Sequence, residues 1–268
     1  MCKSHGFALW TRCIISAVVL VPALARAEVI VLNSTVRDFQ IAHPDFEDSV
    51  TGITTGLVSA TLPADGKPVF VAAPGQGGIT NATTFSQWYT DVAGVNRSTT
   101  LPISLSETAA GSGVFEYTNY SFFPIDGQLF GNEGLPNNFH FTLEIHTSFT
   151  YRSGQSFTFT GDDDVWVYIN RQLVVDLGGV HGSTSRVVNL GSLGLTPGLT
   201  YDFSLFYAER HTYASTFRIQ TGIAFDPNPL PVPEPTAPLL LGLGVVGFLG
   251  AIVRSRSIGD QSPAKTGR

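Results

Sequence analysis

The chain has 268 residues, with 28 Gly and 16 Pro, charged residues at only 13%, and a formal charge of −6. Between residues 28 and 231 the balance is steeper, with 8 Arg and Lys against 19 Asp and Glu, a net −11. This turn-rich composition excludes a helical bundle and a disordered acidic chain; so acidic a surface repels phosphate backbones, which argues against a nucleic-acid partner and leaves divalent cations in play.

The N-terminus reads as a secretory signal over residues 1–27. Lys3 and Arg12 form the basic region, residues 14–21 the apolar stretch, and Ala25-Arg26-Ala27 the small-x-small cleavage pattern before Glu28. That apolar run is shorter than a bilayer span, which favours a cleaved signal over an anchor. Cys2 and Cys13 both lie inside it, so processing there leaves a chain that folds without disulfides and has no cysteine chemistry.

Residues 28–226 read as one β-rich domain. The first element is the only helical one: residues 83–92, with Thr84 as cap and Phe85, Trp88, Tyr89 and Val92 on one face. Strand patterns then follow at 114–123, 138–146, 156–160, 165–169, 173–177, 200–207 and 216–224, separated by turn residues. Within 138–146, Phe139, Phe141, Leu143 and Ile145 alternate with His140, Thr142, Glu144 and His146, which predicts a half-buried strand whose polar face is solvated. The fold expected is all-β, an antiparallel β-sandwich or jelly roll.

The most unusual stretch is GDDDVWVYIN at 161–170. Three adjacent carboxylates repel each other and require a neutralising partner. No Lys or Arg is near in sequence, so a bound calcium ion and a solvated acidic turn are the two readings left open. Asp176 and His181 flank the Gly178-Gly179 loop one hairpin away and are candidates to complete a site. Glu209 is a further candidate ligand, although a structural pair with Arg210 is the favoured reading. His43, Asp45 and Glu47 read as a chain-clamping turn in place of a second metal site.

At the C-terminus, residues 227–236 are a Pro-rich linker, 237–253 an apolar segment just long enough to span a bilayer as a helix, and 254–268 a polar tail. Arg254 and Arg256 predict that this tail is cytoplasmic.

Two resemblances extend this reading. The VPEP sequence at 232–235, the apolar segment and the arginines together resemble a PEP-CTERM sorting signal. That resemblance implies processing by an exosortase-type enzyme and passage from the inner membrane to the cell surface or polysaccharide matrix. GDDDVWVYIN at 161–170 and LVVDLGGVH at 173–181 are similar to the fibro-slime domain, a relative of the protective-antigen-type carbohydrate-binding module. VRDFQIAHPDFE at 36–47, FFPIDG at 122–127, NFHFTLE at 138–144 and FYAERH at 206–211 carry the same likeness. It implies a β-sandwich in which Asp162 and Asp163, joined by a cis peptide, hold a calcium ion that in turn coordinates sugar hydroxyls. Asp164 and Arg171 stand where such relatives have glycine.

The expected metal ligands are thus Asp162, Asp163, Asp164, Asp176 and Glu209. The expected glycan contacts are Asp162, Asp163, Trp166 (by stacking, if its ring faces outward) and His181. The expected function is calcium-dependent glycan binding by an exported surface or matrix protein, in adhesion or biofilm assembly, with no catalytic residues. The rival readings are a matrix component stabilised by calcium alone and a glycoside hydrolase.

Overall fold

The computed structural model describes residues 27–47 and 49–226. The expected signal peptide up to residue 26, the linker at 227–236, the apolar segment at 237–253 and the tail at 254–268 lie outside the described residues. Among the described residues, no helix is long and apolar enough to cross a membrane.

Ten strands carry the fold: β1 (Val29–Phe39), β2 (Asn96–Glu107), β3 (Phe115–Asn119), β4 (Phe141–Thr150), β5 (Ser156–Gly161), β6 (Asp164–Ile169), β7 (Gln172–Leu177), β8 (Thr184–Asn189), β9 (Thr200–Glu209) and β10 (Phe217–Thr221). Their order in the sheet is β7-β6-β9-β4-β1-β2-β3-β10-β5-β8, and every pairing is antiparallel. β1 and β2 pair along eleven residues. β4 takes only the Ser34–Asp38 portion of β1, and β3 only the last two residues of β2. The long β1–β2 ribbon therefore lets the sheet fold over on itself. The aromatic rings of its two halves meet in the core: Phe157 against Phe203, Phe159 against Tyr207, and Phe217 against Tyr207, with centroids 5.2–6.3 Å apart.

A second apolar cluster covers the opposite face of β6 and β9. Leu57, Val58, Leu62, Phe70, Ile79, Phe85, Trp88 and Tyr89 come from the segment between β1 and β2. They pack on Trp166, Tyr168, Phe206 and Ala208. β9 thus sends Phe203, Leu205 and Tyr207 into the inner core and Phe206 and Ala208 into the outer one. β6 is buried along its whole length for the same reason.

This outer layer changes two expectations. The helix is a single turn, α1 (Ala82–Phe85), capped by Asn81, whose side chain accepts from the Thr83 and Thr84 amides; Thr84 only completes the box. Trp88 and Tyr89 are buried all the same, held by the outer core and not by helix periodicity. The polar face of β4 is solvated only from His146 onward. Thr142 donates to the Trp88 carbonyl, His140 is buried, and Glu144 is enclosed between Arg37 (2.7 Å) and Lys67 (2.6 Å).

Two outcomes follow from this packing. Phe206→Ala opens the outer cluster without touching the inner one, and a loss of about 3–5 kcal/mol in urea denaturation is expected. Burial raises the Glu144 carboxyl, but His146, Lys67 and Arg37 outweigh it and hold the group at about 2. A carboxyl held low stabilises the fold above its unfolded value of 4.5 and loses that contribution as pH falls towards 2. The gap in melting temperature between the wild type and Glu144→Gln should therefore narrow steadily below pH 4.5.

Candidate functional site

β5 ends at Gly161 and β6 begins at Asp164, so Asp162 and Asp163 form the whole connection between two strands that lie far apart in the sheet order. The peptide between them is cis. Together the three aspartates anchor two loops, 178–181 and 210–216, by accepting backbone N–H groups. Asp162 takes the amide of Thr216. Asp163 takes those of His181 (2.9 Å) and Arg210 (3.1 Å), and Asp164 that of Gly179 (2.6 Å). Gly179 adopts φ +95°, and a Cβ there would meet the Gly52 carbonyl at 2.5 Å, so only glycine lets the 51–54 segment approach.

The neutralising charge comes from the protein itself. Arg210, fully buried, donates its Nε to Asp164 Oδ2 at 2.6 Å. Its remaining donors go to the carbonyls of Asp45 and Gly78 (both 3.1 Å) and Gly77 (2.7 Å), and its guanidinium lies 5.0 Å from the Trp88 ring centroid. This corrects two expectations. Asp164 is spent on a buried ion pair and is not open to a metal. Arg210 pairs with Asp164 and not with Glu209.

Other candidates divide in the same way. Asp176 accepts from Gly56 N (2.7 Å) and from the Trp166 indole N–H (3.2 Å), which ties it to the outer layer and away from the aspartate pair. Trp166 is fully buried in the outer core, so its ring does not face outward to stack on a sugar. Glu209 is also buried; it accepts from the Tyr207 hydroxyl at 3.1 Å. His181 is buried beside Asp163, through its backbone. In the chain-clamping segment, Asp45 accepts from Thr80 N, Thr84 Oγ1 and Trp88 Nε1. Glu47 accepts from both the amide and the hydroxyl of Thr212.

Burial makes these carboxylates costly to ionise. It pushes Asp163 up to about 7 and raises Asp162. Burial raises Asp164 as well, and the Arg210 guanidinium works against that rise. Glu209 is driven well above its ordinary value by burial and then by the neighbouring Asp163 and Asp162. Among the described residues none of Asp162, Asp163 and Glu209 forms an ion pair, in contrast to Asp164.

Asp162 and Asp163 lie at the wall of a cavity of about 180 Å³. His181, Val50, His211 and Tyr213 also line it. Tyr213 is 85% exposed, and its ring is 5.4 Å from that of His211. The 210–216 loop that carries it is fastened at both ends to the aspartate pair, through Arg210 N and Thr216 N. The fold thus gathers Asp162, Asp163 and His181 as the sequence suggests, places Glu209 close behind them, and adds His211 and Tyr213. His211 closes the FYAERH stretch, whereas nothing in the local pattern of 212–214 marks Tyr213 in advance.

Comparison with known proteins places this site within a matched region. Residues 108–228 match the PA14 domain, and residues 231–256 match the PEP-CTERM protein-sorting motif. Protein psiR of Dictyostelium discoideum is 44% identical over 212 residues, and protein psiD of the same organism is 42% identical over 212 residues. Each alignment covers 73% of this chain, but the chain spans only 21% of psiR and 42% of psiD. Among solved structures, the Epithelial Adhesin 9 A domain of Candida glabrata in complex with Galb1-4GlcNAc matches at 14% identity and a TM-score of 0.33, over 76% of this chain and 91% of that one.

The buried ion pair gives a direct test of the site's framework. Arg210→Met strands the Asp164 charge and should cost about 3–5 kcal/mol, whereas the Arg210→Met/Asp164→Leu double variant should recover much of that loss. A double-mutant cycle measured by chemical denaturation checks both.

Proposed function

We propose that this chain, with a PA14 domain followed by a PEP-CTERM protein-sorting motif, is an exported surface protein that binds a glycan through a calcium ion held at Asp162 and Asp163. The observation that carries the reading is the pair of buried aspartates on the wall of an open cavity, with no cation paired to either among the described residues. Hard carboxylate oxygens of this kind suit calcium, and a divalent ion would offset the cost of burying these carboxylates together.

Among the described residues no three His, Cys, Asp or Glu side chains converge as a ready-made metal centre. Calcium takes six to eight oxygen ligands, so backbone carbonyls, water and ligand hydroxyls would supply the rest. This is the feature that separates a ligand-coordinating ion from a purely structural one: two protein carboxylates leave the ion open to sugar hydroxyls. Asp164 and Asp176 take no part in it.

The rim supports the same reading. An amphipathic ring held in water beside polar groups is poised to cover the C–H face of a pyranose, and Tyr213 is such a ring. The buried Trp166 cannot do this. The sorting motif supports delivery to the surface by way of the inner membrane and an exosortase-type enzyme, where adhesion or matrix assembly would use a glycan-binding domain. The paired aspartates serve as ligands here, with no role as acid and base.

Calorimetric titration should show one calcium ion bound per chain, abolished in Asp163→Asn. A glycan array should give signals that EDTA removes. Tyr213→Ala should retain calcium and lose at least about tenfold in glycan affinity. Calcium binding without any glycan signal would establish the structural role instead, and absence of calcium binding would sink the reading altogether.

A further inference from the structure

A second cavity, of about 250 Å³, lies at the other end of β6. β6 starts at Asp164, beside the first site, and its six residues carry the chain about 20 Å to the two-residue turn Asn170-Arg171. Leu62, His146, Tyr168, Arg171, Asp202 and Ser204 are among the residues around this cavity.

Three observations concern what it is built for. First, both turn residues are left-handed, Asn170 at φ +49° and Arg171 at φ +63°. Such a turn favours Asn followed by Gly, so the arginine occupies a backbone conformation that glycine would take freely. Second, Arg171 is held in place by Nε, which donates to the Leu62 carbonyl at 2.8 Å; its other nitrogens have no partner among the described residues. Third, Asp202 lines the same cavity, its side chain is without a hydrogen bond among the described residues, and it forms no ion pair with Arg171. An exposed arginine and an exposed aspartate sharing one small cavity would ordinarily neutralise each other. Here the donors and the acceptors are both left open.

Between them the wall is already ordered. The His146 ring is bonded to Ser204 Oγ (3.0 Å) and to Glu144 (3.1 Å), and the Tyr168 hydroxyl donates to the Ser59 carbonyl at 2.8 Å. A fixed wall that includes both a guanidinium and a carboxylate with open hydrogen-bonding groups matches a ligand presenting neighbouring hydroxyls, each of which both donates and accepts. An acidic ligand would meet Asp202, and a cationic one would meet Arg171.

We propose that this cavity is a second, calcium-independent binding site for a neutral saccharide, with Arg171 as donor and Asp202 as acceptor. It stands on its own residues and does not depend on the aspartate-pair site. With both sites filled, one domain would bridge two saccharide chains from opposite ends of β6.

The test uses the full chain on an array of neutral glucose, galactose and mannose oligosaccharides with acidic sugars as controls, in excess EGTA so that calcium-dependent binding is silent. Chelator-resistant binding to neutral glycans is expected, unchanged in Asp163→Asn. Arg171→Gly should reduce it at least tenfold, as should Asp202→Asn. Because glycine suits the turn, Arg171→Gly should melt no lower than the wild type and keep its calcium-dependent binding. Absence of any EGTA-resistant signal, signals confined to acidic sugars, or an Arg171→Gly variant that binds like the wild type would each overturn the proposal. Loss of calcium-dependent binding alone would leave it standing.

Discussion

The Arg210–Asp164 ion pair is the constraint on which the rest of the site depends. A guanidinium taken wholly out of water needs all its donors occupied, since each unmet one carries a desolvation penalty. Arg210 places four of its five N–H groups on one carboxylate and three backbone carbonyls drawn from two different loops. The outer layer, β6 and the end of β9 are thereby held in one geometry. The backbone amide of the same residue donates to Asp163, so the orientation of a candidate metal ligand is set by a side chain facing the other way.

The outer layer also explains why the strands bear their sequences. An antiparallel sheet with one wet face shows strict alternation, but β6 and β9 are covered on both faces and carry near-continuous apolar runs. Polar groups that fall on the covered face are therefore paired. Glu144 sits between Arg37 and Lys67, Asp176 takes the Trp166 N–H, and Asp45 takes the Trp88 N–H. Their partners lie far from them in sequence or on another layer. Reading β4 as half-solvated is correct for an isolated sheet and wrong for one roofed by the 57–89 segment.

That contrast sets what could be read in advance. The strands at 165–169, 173–177 and 200–207 were legible because apolar alternation and turn residues bracket them. β1, β2 and β8 were not: their exposed positions carry Ser, Thr, Asn and Arg in patterns that a loop would share. The all-β class survives such omissions because every remaining element is extended. At the site, Asp162 and Asp163 were legible as a local acidic run. Arg210 was visible as a residue but not as a partner, because 46 residues and a change of strand separate it from Asp164. Trp166 illustrates the converse: it stands close in sequence to the aspartate pair, but strand alternation points its ring into the outer core. Tyr213 belongs to a short loop whose composition says nothing, and only its exposure at the cavity rim gives it meaning.

The acidity of the domain can now be resolved into kinds. Some carboxylates, such as Asp164 and Glu144, are buried against arginine or lysine and join layers. Others, such as Glu107, lie at the surface, where neighbouring amides hold the carboxyl below its usual range. Asp162, Asp163 and Glu209 fit neither kind: they are buried, raised in pKa and, among the described residues, without an ion-pair partner, and the first two line a cavity instead of filling a core. Solubility does not require buried charge, and layer-joining requires a cation in contact. The proposed calcium ion would give this cluster a purpose that neither solubility nor layer-joining supplies. Carboxylate oxygens beside an open cavity are the reason the proposal names a hard cation together with the hydroxyls it would recruit.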